Sequence, residues 1–483
     1  MERILILMKW SKYSESIFDA YMHVDANIIV QAVPGAGKTT NICHMWSLDD
    51  KPTVYLVFNK HTQVEAQQKL PAKLNSDILT LNSLGYRAIQ ATFGRVKLDD
   101  KKVGNIVREK YGKRFVSAEE LERQYALVKA VALAKCVNTS GVLSPDEYAG
   151  MLSMYDIDDY PRMYDDICDV LRRSDEMITV VDFADQLRFP VLYQCHMPQY
   201  DCVLGDEVQD FNPIQAALLR ALGAKRYVLV GDVHQSIYGF RGAMSHSMAF
   251  LKDTFHCVEL PLSINYRCGA AIVTEAAQIY PGILPWDESP AGAVRHAALE
   301  HEVSTLRADD LVLCRLNKPL IALAYDLLRR GVPCHVRGRD IGQGLVALVR
   351  KQRAVSVREL ISALHAAYAV ALYTAQQCED TARMQRVADR YESALLFCER
   401  CGLDEAPDAV VAAIQRLFDN GQGVCLTTVH KAKGLEAPRA LLLDTPLFEI
   451  FKRRAAGPWQ REQECNIAYV AVTRAQRELV YMS

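Results

Sequence analysis

The chain has no apolar run near the roughly 18 residues that a membrane-spanning helix needs, which excludes an integral helical membrane protein. The opening run Met1-Glu-Arg-Ile-Leu-Ile-Leu-Met-Lys-Trp10 is too short for the apolar stretch and cleavage site of a secretory leader. There is no excess of either charge: 56 Lys and Arg stand against 58 Asp and Glu, a net of −2. Whole-chain charge therefore neither announces nor excludes nucleic acid, because a locally basic groove survives in a neutral protein. Fourteen cysteines are scattered, and only Cys398 and Cys401 form a close pair. A structural zinc site generally needs two such pairs, so two thiols on a helix are the expectation there. Internal repeats, low-complexity tracts and nuclease motifs are absent. These absences predict a cytoplasmic globular protein with reduced thiols.

What is present is length and rhythm. At 483 residues the chain exceeds one ordinary core, and about 150 residues per domain suggests roughly three. Apolar runs at 28–33, 53–58, 202–204, 227–230 and 257–260 read as buried strands alternating with helices, the pattern of a parallel sheet covered on both faces. Two charged, helix-patterned segments interrupt it, at about 93–178 and 343–420. The expected architecture is α/β, with two parallel-sheet domains each carrying a mainly helical insertion. The first domain is placed at 1–92 and 179–262 with its insertion at 93–178. The second is placed at 263–342 and 421–483 with a reduced insertion at 343–420.

Gln31-Ala-Val-Pro-Gly-Ala-Gly-Lys-Thr-Thr40 follows a strand and opens a helix. Glycines let the backbone curl so that N–H groups face phosphate oxygens, and the helix start favours anions. Lys38 is placed to reach terminal phosphates, and Thr39 to offer a hydroxyl to magnesium. Ala32 stands where the general P-loop pattern has its first glycine. Downstream, Tyr200-Asp-Cys-Val-Leu-Gly-Asp-Glu-Val-Gln-Asp210 is a short apolar strand ending in two acids. Asp206 would hold magnesium, and Glu207 would orient and deprotonate an attacking water.

The Asp206–Asp210 box, read with Val230-Gly-Asp-Val-His-Gln-Ser-Ile-Tyr-Gly-Phe-Arg-Gly-Ala243, resembles the UvrD/Rep group of superfamily 1 DNA helicases. Leu56-Val-Phe-Asn-Lys60 is similar to helicase motif Ia, and Thr80-Leu-Asn-Ser-Leu-Gly85 to motif Ib, with Asn82 where histidine is common. Asp182-Phe-Ala-Asp185 is similar to a short motif preceding the acidic box. Leu262-Ser-Ile-Asn-Tyr-Arg267, Thr427-Thr-Val-His-Lys-Ala-Lys-Gly-Leu-Glu436 and Asn466-Ile-Ala-Tyr-Val-Ala-Val-Thr-Arg-Ala475 are similar to motifs IV, V and VI. One such box is a weak signal; this many in order along the whole chain are specific.

The resemblance implies two RecA-like P-loop domains that use ATP and Mg²⁺. ATP would be bound by Ala32, Pro34, Gly35, Ala36, Gly37, Lys38, Thr39, Thr40, Tyr266, Arg267, Glu436 and Arg474. Tyr266 would stack on adenine. Arg267 and Arg474 would meet the γ-phosphate, since guanidinium offers a rigid fork of donors that stays charged. Glu436 would contact the sugar region, and Gln235 would sense the γ-phosphate. Magnesium would be held by Thr39 and Asp206. Single-stranded DNA and its junctions with duplex would be contacted by Phe58, Asn59, Lys60, Thr80, Asn82, Ser83, Tyr238, Phe240, Arg241 and His430. Tyr238 and Phe240 would stack on bases, a sequence-tolerant contact. The motion implied is 3′ to 5′, with a loading or accessory protein as a possible partner. Where the family carries an adenine-reading glutamine, this chain has Tyr13-Ser-Glu-Ser-Ile-Phe18, with Ser14 or Glu15 in its place, and weaker discrimination among triphosphates follows.

Overall fold

The computed structural model describes residues 9–112, 118–155, 160–237, 247–377, 381–418, 421–455 and 458–482. The chain divides into two compact units, Met1–Ser263 and Ile264–Ser483.

In the first unit, strands β1 (Ile28–Ala32), β2 (Thr53–Val57), β3 (Asp77–Thr80), β6 (Cys202–Gly205), β7 (Arg226–Gly231) and β8 (Val258–Leu262) form one sheet. Its order is β3-β2-β6-β7-β1-β8, and every pairing is parallel. Side chains alternate between two apolar layers. Ile28, Val30, Tyr55 and Leu204 pack on one face; Ile29, Val54, Leu56 and Val203 pack on the other. Burial on both faces explains why the strands read as continuous apolar runs rather than as alternating ones. The β3 strand is the element the apolar runs did not reveal, because Asp77 and Thr80 bound only two apolar residues.

The helices Lys102–Tyr111, Ala118–Val137, Pro145–Tyr155 and Met163–Glu176 enclose a separate apolar cluster that includes Val107, Leu127, Val131 and Ile167. Two short strands, β4 (Lys97–Leu98) and β5 (Val180–Val181), pair in parallel where the chain enters and leaves this helical segment.

The second unit repeats the plan. Strands β9 (Ile264–Asn265) and β10 (Leu284–Pro285) pair with each other. The main sheet contains β11 (Ala293–Ala297), β12 (Leu311–Cys314), β13 (Cys334–Arg337), β14 (Val424–Thr428), β15 (Ala437–Leu442) and β16 (Ala475–Met482). Its order is β11-β16-β15-β12-β14-β13, again all parallel. The helices Arg339–Lys351, Val357–Gln377, Thr381–Cys398 and Pro407–Phe418 lie between β13 and β14. They share the sheet's core: Leu345, Leu360, Phe397 and Ile414 pack in one cluster with Val312 and Leu426. The first of these helices starts at Arg339, slightly before the compositional shift at about 343. Cys398 ends its helix and Cys401 lies in the turn just past it, so only one of the two thiols is helical. Among the described residues, no helix is long and apolar enough to cross a membrane.

Candidate functional site

Every chemical motif of the first unit sits at the carboxyl end of a strand, where parallel sheets bind ligands. The loop after β1 turns through Gly35 and Gly37, both with positive φ (64° and 77°), and enters the helix Lys38–Trp46. Gly37 caps that helix without a side-chain hydrogen bond, so the cradle at the helix start is backbone. That suits an anion held by backbone N–H groups.

The acids after β6 converge on this loop. Asp206 is buried, and its Oδ2 accepts from the Thr39 hydroxyl at 3.3 Å and from the Tyr55 hydroxyl at 3.1 Å. Its Oδ1 accepts from the backbone N–H of Glu207 at 2.9 Å. Burial, reinforced by the charge of Glu207 and opposed by Lys38, raises the Asp206 pKa to about 6. The raised proton affinity marks a carboxylate short of positive charge. With a threonine hydroxyl beside it, that is an oxygen pair suited to a hard divalent cation such as magnesium. Glu207 has φ of 53°, a left-handed conformation that costs a non-glycine residue energy and that clusters at functional sites. That turn brings its Oε1 to 3.4 Å from Lys38 Nζ.

A polar relay runs from Glu207 to the turn after β7. Gln209 donates to Glu207 Oε2, while Gln209 Oε1 accepts from the N–H of Asp232 at 3.0 Å. Asp232 in turn accepts from Gln235 Nε2 at 2.7 Å. Gly231 makes the relay possible, because a Cβ there would lie 2.6 Å from Gln209 Oε1. Asp232 is fully buried, and burial raises its pKa to about 6. Sequence reading singled out Gln235 but missed Tyr55, Gln209 and Asp232. Their only signal is that a polar group on a buried strand or strand end must find a partner.

The residues expected to contact DNA occupy the same edge of the sheet, after β2 and β3. Phe58 is exposed. Asn59 caps the helix Lys60–Lys69, its Oδ1 accepting from Thr62 N–H at 2.9 Å, and Lys60 donates to Gln63. Thr80 caps the helix Leu81–Phe93 through Ser83 N–H at 3.1 Å, and the Thr80 and Ser83 hydroxyls lie 2.9 Å apart. Asn59, Thr80 and Ser83 thus also build the helix starts. Asn82 donates to the carbonyl of Phe183 at 2.8 Å. Phe183 is a further exposed aromatic, 58% accessible, held against motif Ib. Gly85 permits that approach, since a Cβ there would sit 1.8 Å from the Gln186 carbonyl oxygen. Tyr238, Phe240 and Arg241 lie outside the described residues.

In the second unit the structure brings Arg267, Glu436 and Arg474 together. Arg267 Nε and Glu436 Oε2 are 2.5 Å apart, a close charge pair without an aligned hydrogen bond. Gln476 also donates to Glu436 at 3.0 Å. Arg474 is almost fully buried and donates to the carbonyls of Val470 and Leu435, both at 3.0 Å. Asn265 Oδ1 accepts from the N–H groups of Arg267 and Cys268, fixing the turn that leaves Tyr266 exposed near Trp286. His430 lies in the short helix Val429–Ala432 after β14. At the place of the adenine-reading glutamine, Ser14 is buried, with its hydroxyl 3.3 Å from that of Ser11; Glu15 is exposed.

Comparison with known proteins matches residues 13–256 to the UvrD/REP helicase N-terminal domain and residues 408–483 to the UvrD-like helicase C-terminal domain. The F-box DNA helicase protein 1 of Schizosaccharomyces pombe is 24% identical over 93% of this chain, which spans 55% of that relative's length. The ATP-dependent DNA helicase UvrD2 of Mycobacterium tuberculosis is 23% identical over 94% of this chain and 76% of its own length. The DNA helicase II of Haemophilus influenzae is 34% identical, over 24% of this chain and 17% of its own.

Proposed function

Since the chain belongs to the UvrD/Rep helicase family, we propose that it hydrolyses ATP to move 3′ to 5′ along single-stranded DNA and to open duplex ahead of it. The observation that carries this reading is the convergence of Lys38, Thr39, Asp206 and Glu207 at one sheet edge. The backbone from Pro34 to Gly37 and Lys38 hold the phosphates. Thr39 and Asp206 would hold a magnesium ion, which would neutralise phosphate charge. Glu207 orients a water and takes its proton as the oxygen attacks the γ-phosphorus and the bond from that phosphorus to the β–γ bridging oxygen breaks, releasing ADP and phosphate. Gln209, Asp232 and Gln235 connect Glu207 to the turn that leads into the Tyr238–Arg241 segment, so the state of the nucleotide is felt where the strand is gripped. Arg267 and Arg474 supply the cations that meet charge building on the γ-phosphate. Phe58, Phe183, Tyr238 and Phe240 offer π-faces to bases; Asn59, Lys60, Thr80, Asn82, Ser83, Arg241 and His430 engage the backbone, which positions a strand without reading its sequence.

The test is phosphate release with and without single-stranded DNA, beside Glu207→Gln and Lys38→Ala. Strong stimulation by DNA is expected in the unaltered protein. Glu207→Gln should still bind ATP but lose turnover, and Lys38→Ala should lose turnover while keeping some DNA binding. Near-normal turnover in either variant would mean that the active site is misplaced. A second reading is a translocase that opens duplex only with a partner. It is supported by the modest helical segment between β13 and β14, which packs into the sheet's own core rather than forming a separate one.

A further inference from the structure

Tyr55 stands in the middle of β2, the strand between β3 and β6. Its partners across the sheet are Ile78 and Leu204, and Leu204 precedes Asp206 by two residues. The side chain is fully buried. It packs with Val30 and Leu204 and, from the helix that opens at Lys38, with Ile42 and Cys43. Apart from Thr53, the other residues of the strand are aliphatic. Packing at this position needs no hydroxyl, and a buried phenol has to find a partner. It finds the carboxylate of Asp206, donating to Oδ2 at 3.1 Å.

This bond differs in kind from the others that Asp206 accepts. The Thr39 hydroxyl reaches the same oxygen at 3.3 Å, but Thr39 is exposed and is itself a proposed magnesium ligand. The N–H of Glu207 holds the other oxygen, Oδ1, at 2.9 Å, from the adjoining peptide. Tyr55 holds Oδ2 from the interior, on a strand that carries neither the phosphate loop nor the acids. A carboxylate whose two oxygens are pinned by donors on different elements cannot rotate without breaking one of the bonds. Hydrogen bonds of this sort aim a metal-ligating carboxylate, and losing one typically costs about 10–100-fold in metal affinity.

We propose that Tyr55 is a positioning residue for the divalent cation. Its hydroxyl keeps the Asp206 carboxylate turned toward Thr39 and the phosphate loop, so the affinity for the cation depends on it, and the affinity for the nucleotide alone does not. This rests on the reading of Thr39 and Asp206 as the magnesium site.

The experiment is an electron paramagnetic resonance titration of Mn²⁺ into the full chain with ADP bound, Mn²⁺ being, like magnesium, a cation suited to oxygen ligands. A fluorescent ADP analogue titrated in EDTA reads nucleotide affinity without any cation. Tyr55→Phe keeps the ring and its packing and removes only the hydroxyl. It should raise the dissociation constant of Mn²⁺ about tenfold and leave nucleotide affinity in EDTA within about twofold of the unaltered protein. The matched control is Tyr227→Phe on β7, where a buried phenol donates to the Leu219 carbonyl and accepts from the Ala224 N–H, both at 3.0 Å. It loses the same group away from the acids and should change neither reading. Unchanged Mn²⁺ affinity in Tyr55→Phe, an equal loss in Tyr227→Phe, or a matching loss of nucleotide affinity in EDTA would each overturn the proposal. Asp206→Asn tests the reading beneath it and should abolish tight Mn²⁺ binding. If Asp206→Asn takes Mn²⁺ as the unaltered protein does, the magnesium site is misplaced and the role of Tyr55 falls with it.

Discussion

Asp232 illustrates how much one buried side chain organises. It joins Gln235 to Gln209 and hence to Glu207, in a setting that disfavours its own charge. Replacing it by alanine removes the carboxylate that holds the Gln235 amide and the His234 N–H, while the backbone N–H that holds Gln209 stays, so the relay is cut at Gln235 and that amide's orientation is lost. DNA-stimulated kcat for Asp232→Ala should fall at least tenfold, while KM for ATP shifts less than threefold. Gly231→Ala should give the same split, because its Cβ would displace Gln209. A rise in KM alone would place the relay in nucleotide binding instead. Beside it, His234 has its pKa lowered to about 4 because burial penalises the imidazolium. An unfolded histidine near 6.5 takes its proton first, so the stability His234 contributes is full above about 6.5 and is lost as pH falls toward 4. Asp206 and Asp232, with raised values, act in the opposite sense between about 3.8 and 6, gaining stability as pH falls. His234→Gln should therefore gain in melting temperature relative to the unaltered protein on going from pH 7 to pH 5. A difference independent of pH would show that His234 is not held neutral.

At the scale of elements, the first unit ties its helical segment to the turn after β5 and the helix Asp185–Leu192 through buried charge. Lys102 and Lys135 come from two helices of that segment, and both are fully buried. Lys102 contacts Asp185 at 2.7 Å; Lys135 contacts Asp182 and Asp185, both at 2.6 Å. Burial raises the Asp185 pKa and lowers that of Lys102, each against the pull of its partner. Such pairs are costly to form, and removing one partner costs about 3–5 kcal/mol because the other charge stays buried. Lys135→Met should lower the free energy of unfolding by that order, and Lys135→Met/Asp185→Asn should recover part of the loss. Additive losses would mean that the cluster is not coupled. This arrangement was not legible in the sequence, where lysines in a charged helical segment read as a solvated face and their partners stand 83 and 50 residues away. The strands β1, β2, β6 and β7 were legible because each is built on a mainly apolar run, and the P-loop and acidic box because glycine and paired carboxylates punctuate those runs. The relay from Glu207 to Gln235 was only half legible, since its members are named by the motifs but their contacts arise from the order β6-β7-β1 in the sheet.

At the scale of the molecule, the helices between β13 and β14 set the expectation for what the motor accomplishes. Moving along a strand needs turnover and a strand grip, and the residues proposed for both lie on the two parallel sheets and their loops. Separating a duplex needs in addition a surface that engages base pairs ahead of the strand. We assign that task to the helical segment between β13 and β14 as part of the proposed function. Here Phe397, Leu360 and Ile414 spend the apolar faces of three of its helices on the core shared with Val312 and Leu426, which leaves less surface to project toward a duplex. The chain should therefore displace streptavidin from a biotinylated single strand in an ATP-dependent manner, while opening a tailed duplex slowly. If this segment grips the duplex, charge reversal at the exposed Arg358 of the helix Val357–Gln377 should slow strand separation while leaving streptavidin displacement unchanged. Comparing single-turnover strand separation with streptavidin displacement on the same tail decides the matter. Equal rates would mean that a compact second unit suffices for unwinding; displacement without separation would assign the missing step to a partner.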